Sequence, residues 1–81
     1  MYTVYVIESL KGSRYTGHTN DLPRRLSEHN NGLCKTTKAN TNWQIIYAEI
    51  FQTRGEALKR ERWLKSGVGR EYLKQIMENH K

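Results

Sequence analysis

Residues 15–29, YTGHTNDLPRRLSEH, decide how the chain folds. They read as the end of a strand, a glycine, a capped turn and a short helix. Asp21 is a good N-cap, because its side-chain oxygen can accept from an amide of the first turn. Pro23 is tolerated there, since its missing N–H would have no helical partner. Asn30, Asn31 and Gly32 form the stop signal, with Gly32 free to take the left-handed conformation that closes a helix. Leu22 and Leu26 lie four apart on one face of that helix. At about 100° per residue, His29 joins their inward stripe and Arg25 falls on its edge, while Arg24 and Glu28 point elsewhere. Arg25 and His29 are four apart, hence neighbours. A histidine in an apolar stripe beside an arginine is an unusual group to bury without a chemical reason.

Upstream, the chain opens with Tyr2-Thr3-Val4-Tyr5-Val6-Ile7, four β-branched residues and two tyrosines, a strand composition. Both faces are apolar, as in a strand covered on both sides in the middle of a sheet. Lys11-Gly12-Ser13 is a turn, and Arg14 to Thr19 is the returning strand of a hairpin. A three-residue loop at 11–13 places Ile7 opposite Gly17 and Tyr5 opposite Thr19. Tyr5 and Tyr15 then project to one side, and a one-residue slip would separate them. Gly17 lies on that same face, where a missing side chain lets another group or a ligand come close.

Downstream, Leu33 to Asn42 is rich in Thr, Asn and Lys and reads as a basic loop, with Lys35 and Lys38 either solvated or in contact with phosphate. Trp43 to Phe51 reads as the third strand. Thr53 is placed to cap the next helix, with Glu56 at the capping-box position. That helix, Arg54 to about Ser66, has an apolar stripe of Ala57, Leu58, Leu64 and the stem of Lys65. Glu61 falls in the middle of the stripe. A carboxylate there must be paired, protonated or bound to a metal. Trp63 is off the stripe and is expected to pack on a third element. Gly67-Val68-Gly69 is expected to break the helix, and Arg70 to about Glu78 to form a last one with Tyr72, Leu73 and Ile76 facing in. The expected architecture is α+β: a small three-stranded antiparallel sheet flanked by helices, in the order ββαβαα.

Composition bounds the function. Eighty-one residues allow one small domain, 1–81, with a modest core. Net charge is +6, which favours a polyanionic partner. The excess is concentrated late: residues 54–81 carry eight Lys/Arg against four Asp/Glu, residues 1–53 six against four. Cys34 is alone, which excludes a disulfide framework and a four-thiolate zinc site and fits a reducing compartment, the cytoplasm. No apolar run approaches a signal peptide or a membrane span.

The ordered residues resemble the GIY-YIG nuclease domain, in particular its small stand-alone members, over essentially the whole chain. Thr3-Val4-Tyr5 stands where that family has Gly-Ile-Tyr, and Tyr15-Thr16-Gly17 where it has Tyr-Ile-Gly. Arg25 stands at the position of the family's arginine, His29 one helical turn on, and Glu61 at that of its metal-binding glutamate. The glycine of the first motif is missing, and Asn79 is the residue available for the family's late asparagine.

The resemblance implies phosphodiester hydrolysis in DNA with one divalent metal, magnesium or manganese, in processes such as DNA repair. Glu61 would hold the metal, a single carboxylate suiting magnesium because that ion keeps several waters. Arg25 would stabilise the transition state's negative charge. Tyr5 or Tyr15 would position or deprotonate the attacking water, with His29 sharing the proton traffic. His18 is either a phosphate contact or a plain surface histidine. With no added DNA-reading module, binding should run through phosphates and favour structure over sequence. The alternatives are a basic nucleic-acid-binding module of the same fold that cuts nothing, and an adaptor that docks on another protein through Trp63 and the last helix.

Overall fold

The computed structural model describes residues 1–34, 37 and 42–78. Lys35, Lys38 and Asn79 lie outside the described residues. The elements run β1 (Tyr2–Glu8), β2 (Arg14–Thr19), α1 (Leu22–Asn30), β3 (Gln44–Phe51), α2 (Arg54–Lys65) and α3 (Gly67–Glu78). The architecture is the expected α+β one: a three-stranded antiparallel sheet in the order β2-β1-β3, with three helices. β1, apolar on both faces, is the central strand.

Alternation along β1 divides the core. Val4 and Val6 point to one face, where Ala57 and Leu64 of α2 and Leu73 of α3 close over them. Tyr5 and Ile7 point to the other, with Trp43, Tyr15 and the α1 leucines Leu22 and Leu26. Each buried aliphatic side chain contributes about 1.5–3 kcal/mol from leaving water. A β-bulge between Val6 and Ile7 shifts the register against β3.

The hairpin register corrects the sequence expectation. Tyr5 pairs with Gly17 and Ile7 with Tyr15, two residues away from the expected pairing. The turn takes five residues rather than three: the Ser9 amide donates to the Ser13 carbonyl at 2.9 Å, and Gly12 adopts φ +87° within it. Because side chains alternate with period two, a two-residue shift preserves every face. Tyr5 and Tyr15 therefore do share a side, with ring centroids 6.2 Å apart.

The helix caps follow the sequence. Asp21 Oδ1 accepts from the Arg24 amide at 3.2 Å, and Thr53 Oγ1 accepts from the Glu56 amide at 3.2 Å. The start of α3 differs from expectation. Gly67, Val68 and Gly69 form its first turn, and only Ser66 interrupts the helical path. The Ser66 hydroxyl donates to the Trp63 carbonyl at 2.5 Å and accepts from the Gly69 amide at 3.3 Å, so one side chain ends α2 and starts α3. Gly69 is needed for contact, not for breaking: a Cβ there would fall on the Trp63 carbonyl oxygen and the Leu64 Cα. Trp63 packs edge-on against Tyr72 of α3, centroids 5.3 Å apart, with the Arg60 guanidinium 4.3 Å above its ring. Lys65 is exposed rather than part of the α2 stripe. No helix among the described residues is long and apolar enough to cross a membrane.

Candidate active site

β2 is an edge strand, and its side chains alternate between two chemical environments. Tyr15 and Gly17 face α1. Thr16 and His18 face α2. The residues singled out in the sequence are accordingly brought together as two groups, one on each side of this strand.

On the α1 side, Tyr5, His29 and Thr37 form a buried chain. The Tyr5 hydroxyl lies 2.8 Å from His29 Nε2, and His29 Nδ1 lies 2.7 Å from Thr37 Oγ1. Their exposures are 1%, 0% and 1%. Burial pushes the Tyr5 phenol up to about 12, with the neighbouring Arg25 pulling the other way. Burial and then the positive Arg25 push His29 below its ordinary value. A protonated phenol and a neutral imidazole are matched partners: Tyr5 O–H donates to Nε2, and Nδ1–H donates to Thr37. The Thr37 carbonyl in turn accepts from the Trp43 indole at 3.3 Å. Tyr15 completes the group, its ring centroid 4.9 Å from that of His29, and it remains half-buried. Gly17 is what makes room: a Cβ there would lie 2.9 Å from both the Tyr5 hydroxyl and Tyr15 Cε2. The space left by the missing side chain is thus filled by the protein's own tyrosines.

Arg25 sits at the rim of this group. Its guanidinium donates to Glu28 at 2.9 Å, and that bond, followed by its contact with Tyr5, raises its pKa further. Glu28, off the inward stripe as expected, pairs with both Arg25 and Arg24. Arg25 stays charged at any working pH.

On the α2 side, Glu61 is paired through both oxygens. His18 Nδ1 donates to Oε1 at 2.6 Å, and the Lys65 ammonium donates to Oε2 at 2.9 Å. An ionised carboxylate only accepts, so His18 carries its proton on Nδ1. Burial alone would raise the Glu61 carboxyl, but the hydrogen bonds from His18 and Lys65 outweigh it and hold the group below its ordinary value. Among the described residues, no three His, Cys, Asp or Glu gather into a metal-binding group. A metal would have Glu61 as its anionic protein ligand, with water and substrate oxygens completing the shell. That is a donor set a hard divalent ion accepts. The Glu61 carboxylate is ionised, 12% exposed, and already has an ammonium within 2.9 Å, so the position fits a cation.

The two groups meet at an open polar cleft of about 500 Å³ past the end of β2. Arg25, the neighbour of Tyr5, and His18, the partner of Glu61, both line it, together with Arg24 and Arg54. Three guanidinium groups and an imidazole outnumber the one carboxylate of the cleft, Glu28, which pairs with Arg24 and Arg25, and the surplus suits a phosphate. The sequence did not point to Thr37, Arg54 or Lys65. Thr37 sits in a loop with no periodic pattern to place it, and Arg54 reads only as a helix start. Lys65 was legible as the i+4 partner of Glu61, the spacing of a helical ion pair.

Comparison with known proteins bears on this arrangement. A family model described as the GIY-YIG catalytic domain matches residues 1–74. A UPF0213 protein of Staphylococcus saprophyticus is 41% identical over 76 residues, which covers 93% of each chain. One from Haloquadratum walsbyi is 43% identical over 76 residues, covering 93% of this chain and 84% of that one. The solution NMR structure of a UPF0213 protein from Bacillus halodurans superposes with a TM-score of 0.57 at 31% identity, covering 94% of this chain and 85% of that chain. With the sheet order, the helix order and nearly the full length matched, this chain belongs to the GIY-YIG catalytic domain family, among its small UPF0213 proteins.

Proposed function

We propose that the 81 residues act as one domain, a divalent-metal-dependent endonuclease that hydrolyses phosphodiester bonds in DNA and selects by structure more than by sequence. The observation that carries this is a polar cleft in which Arg25 and His18 stand together, the one in contact with Tyr5 and the other bonded to Glu61. Arg25 binds the phosphate and stabilises the charge of the transition state, exchanging its contact with Glu28 for a forked one with phosphate oxygens. Tyr15, the tyrosine with surface in water, orients the attacking water. Tyr5, 1% exposed, remains a phenol and holds the rigid wall against which Tyr15 and Arg25 are set. His29 keeps that phenol in place and is itself fixed by Thr37. His18 orients the Glu61 carboxylate toward the cleft. Glu61 would hold magnesium or manganese, which would supply Lewis-acid stabilisation of the phosphate's developing charge. The buried, unpaired Cys34 suits a reducing compartment such as the cytoplasm.

A second reading, a basic nucleic-acid-binding module, draws on the occupation of both Glu61 oxygens by His18 and Lys65. One experiment separates the two. Single-stranded, duplex, flapped and branched DNAs are offered with magnesium, with manganese and with chelator, to wild type and to Glu61→Gln. The nuclease reading expects cutting by wild type, lost with chelator and with Glu61→Gln while binding persists. Binding without cutting under either metal overturns it in favour of the module.

A further inference from the structure

A second cleft, of about 410 Å³, lies on the α2–α3 side of β2, toward the other end of the strand. That volume is within the roughly 300–1,000 Å³ typical of ligand pockets. Its floor is apolar, made by Val6 of β1, Leu64 of α2 and Leu73 of α3. Its rim is cationic, made by Arg14, Lys65 and Arg70. Arg14 is engaged with Glu8 at 2.9 Å and Lys65 with Glu61 at 2.9 Å. Arg70 is exposed and, among the described residues, makes no ion pair.

An apolar floor inside a ring of cations selects among occupants. A free anion would leave the floor uncovered, and an aliphatic side chain would leave Arg70 without a counterpart. A nucleotide satisfies both, with a base of low polarity on its faces and a phosphate beside it. Lys65 links this cleft to Glu61: its side chain lines the cleft and its ammonium donates to the Glu61 carboxylate at 2.9 Å. Tyr15 and His18, three residues apart, separate the two clefts by about 10 Å along the strand. A base stacked inside a duplex cannot enter such a cleft.

We infer that this cleft receives the base of an unpaired nucleotide next to the phosphate held by Arg25 and His18, so that the protein prefers strands with bases free of a duplex. The inference rests on the proposed function for the neighbouring phosphate, but its test needs no cutting. Equilibrium binding is measured in chelator, on the intact protein, with three probes: a single-stranded oligodeoxynucleotide carrying 2-aminopurine, an abasic strand of equal length, and the matching duplex. The base-bearing strand should bind about tenfold more tightly than the abasic one, the order expected for accommodating one base, and its 2-aminopurine emission should change on binding. Thr16→Phe, which fills the cleft from a strand position that tolerates an aromatic residue, should abolish that preference and leave abasic binding unchanged. Arg70→Ala should weaken both strands. Crosslinking of a 5-iodouracil strand should map to residues 14–16 or 64–73, which locates the base even if Thr16→Phe does not fold. Equal affinity for the abasic strand, a preference that survives Thr16→Phe, or crosslinks elsewhere would overturn the inference while leaving the nuclease reading to its own assay. Failure to bind any of the strands would overturn both.

Discussion

At the scale of single residues, the controlling feature is a histidine with no exposed surface whose two nitrogens are both spoken for. Tyr5, His29 and Thr37 are fully buried and mutually satisfied. Deleting one end leaves a polar atom stranded, and the cost is the desolvation of that atom. Thr37→Val keeps the shape and removes the partner of Nδ1, so unfolding in urea should show a loss of about 1–3 kcal/mol. Protonation attacks the same point. Because the folded-state pKa of His29 is lowered from 6.5, the unfolded chain binds more protons than the folded one below about pH 6.5. Stability should therefore fall as pH drops from there toward the folded value, and His29→Gln should flatten that part of the curve. Glu61 acts in the same direction further down: its contribution is present above 4.5 and is lost as pH falls through its lowered folded value. Gly17→Ala is a separate test of the space around Tyr5. Its Cβ would crowd the phenol and the Tyr15 ring, and about 1–3 kcal/mol of stability should be lost. His29 and Gly17 were legible from period and face. Thr37 was not, because it has no place in the period of any element and meets Nδ1 only in the fold.

At the scale of elements, α2 and α3 cross in close contact. The crossing depends on the backbone of Trp63 and Leu64 lying against Gly69. A glycine in this place looks, in sequence, like a helix breaker; in the fold it is the flat spot on which one helix rests against another. Gly69→Ala should cost about 3 kcal/mol, the upper range for overpacking. Val68→Ala, one residue away and 68% exposed, should stay within about 0.5 kcal/mol of wild type. Chemical denaturation of the two variants decides it. The same distinction between pattern and contact applies to the hairpin. Strand limits and faces were legible from composition and alternation, whereas the pairing depended on a turn closed by the Ser9 amide on the Ser13 carbonyl.

At the scale of the molecule, the chain carries a net charge of +6, and two clefts beside the edge strand β2 are lined by cations. Arg24, Arg25 and Arg54 line one cleft, and Arg14, Lys65 and Arg70 the other. These arginines come from β2, α1, α2 and α3, so the clustering is a product of the fold and not of a basic run. DNA affinity should fall steeply with salt. Arg54→Ala, which removes one phosphate partner from an exposed helix start, should reduce the slope of log affinity against log salt by about 1. Titrations of one duplex at several salt concentrations measure it. An unchanged slope would place the phosphate elsewhere.

The sequence by itself determined the kinds and order of the elements, the strand at the centre of the sheet, both helix caps and the inward direction of His29. These follow from short-range rules: the period of side chains along a strand or helix, and the hydrogen-bonding habits of residues at helix ends. Only the tertiary structure decided that Tyr5 and His29 lie on one side of β2 and Glu61 on the other, that Thr37 closes the buried chain, and that His18 takes the second oxygen of Glu61. Those contacts join residues 8, 24 or 43 positions apart. No local pattern encodes such distances, because they are set by how the apolar faces of separate elements find each other.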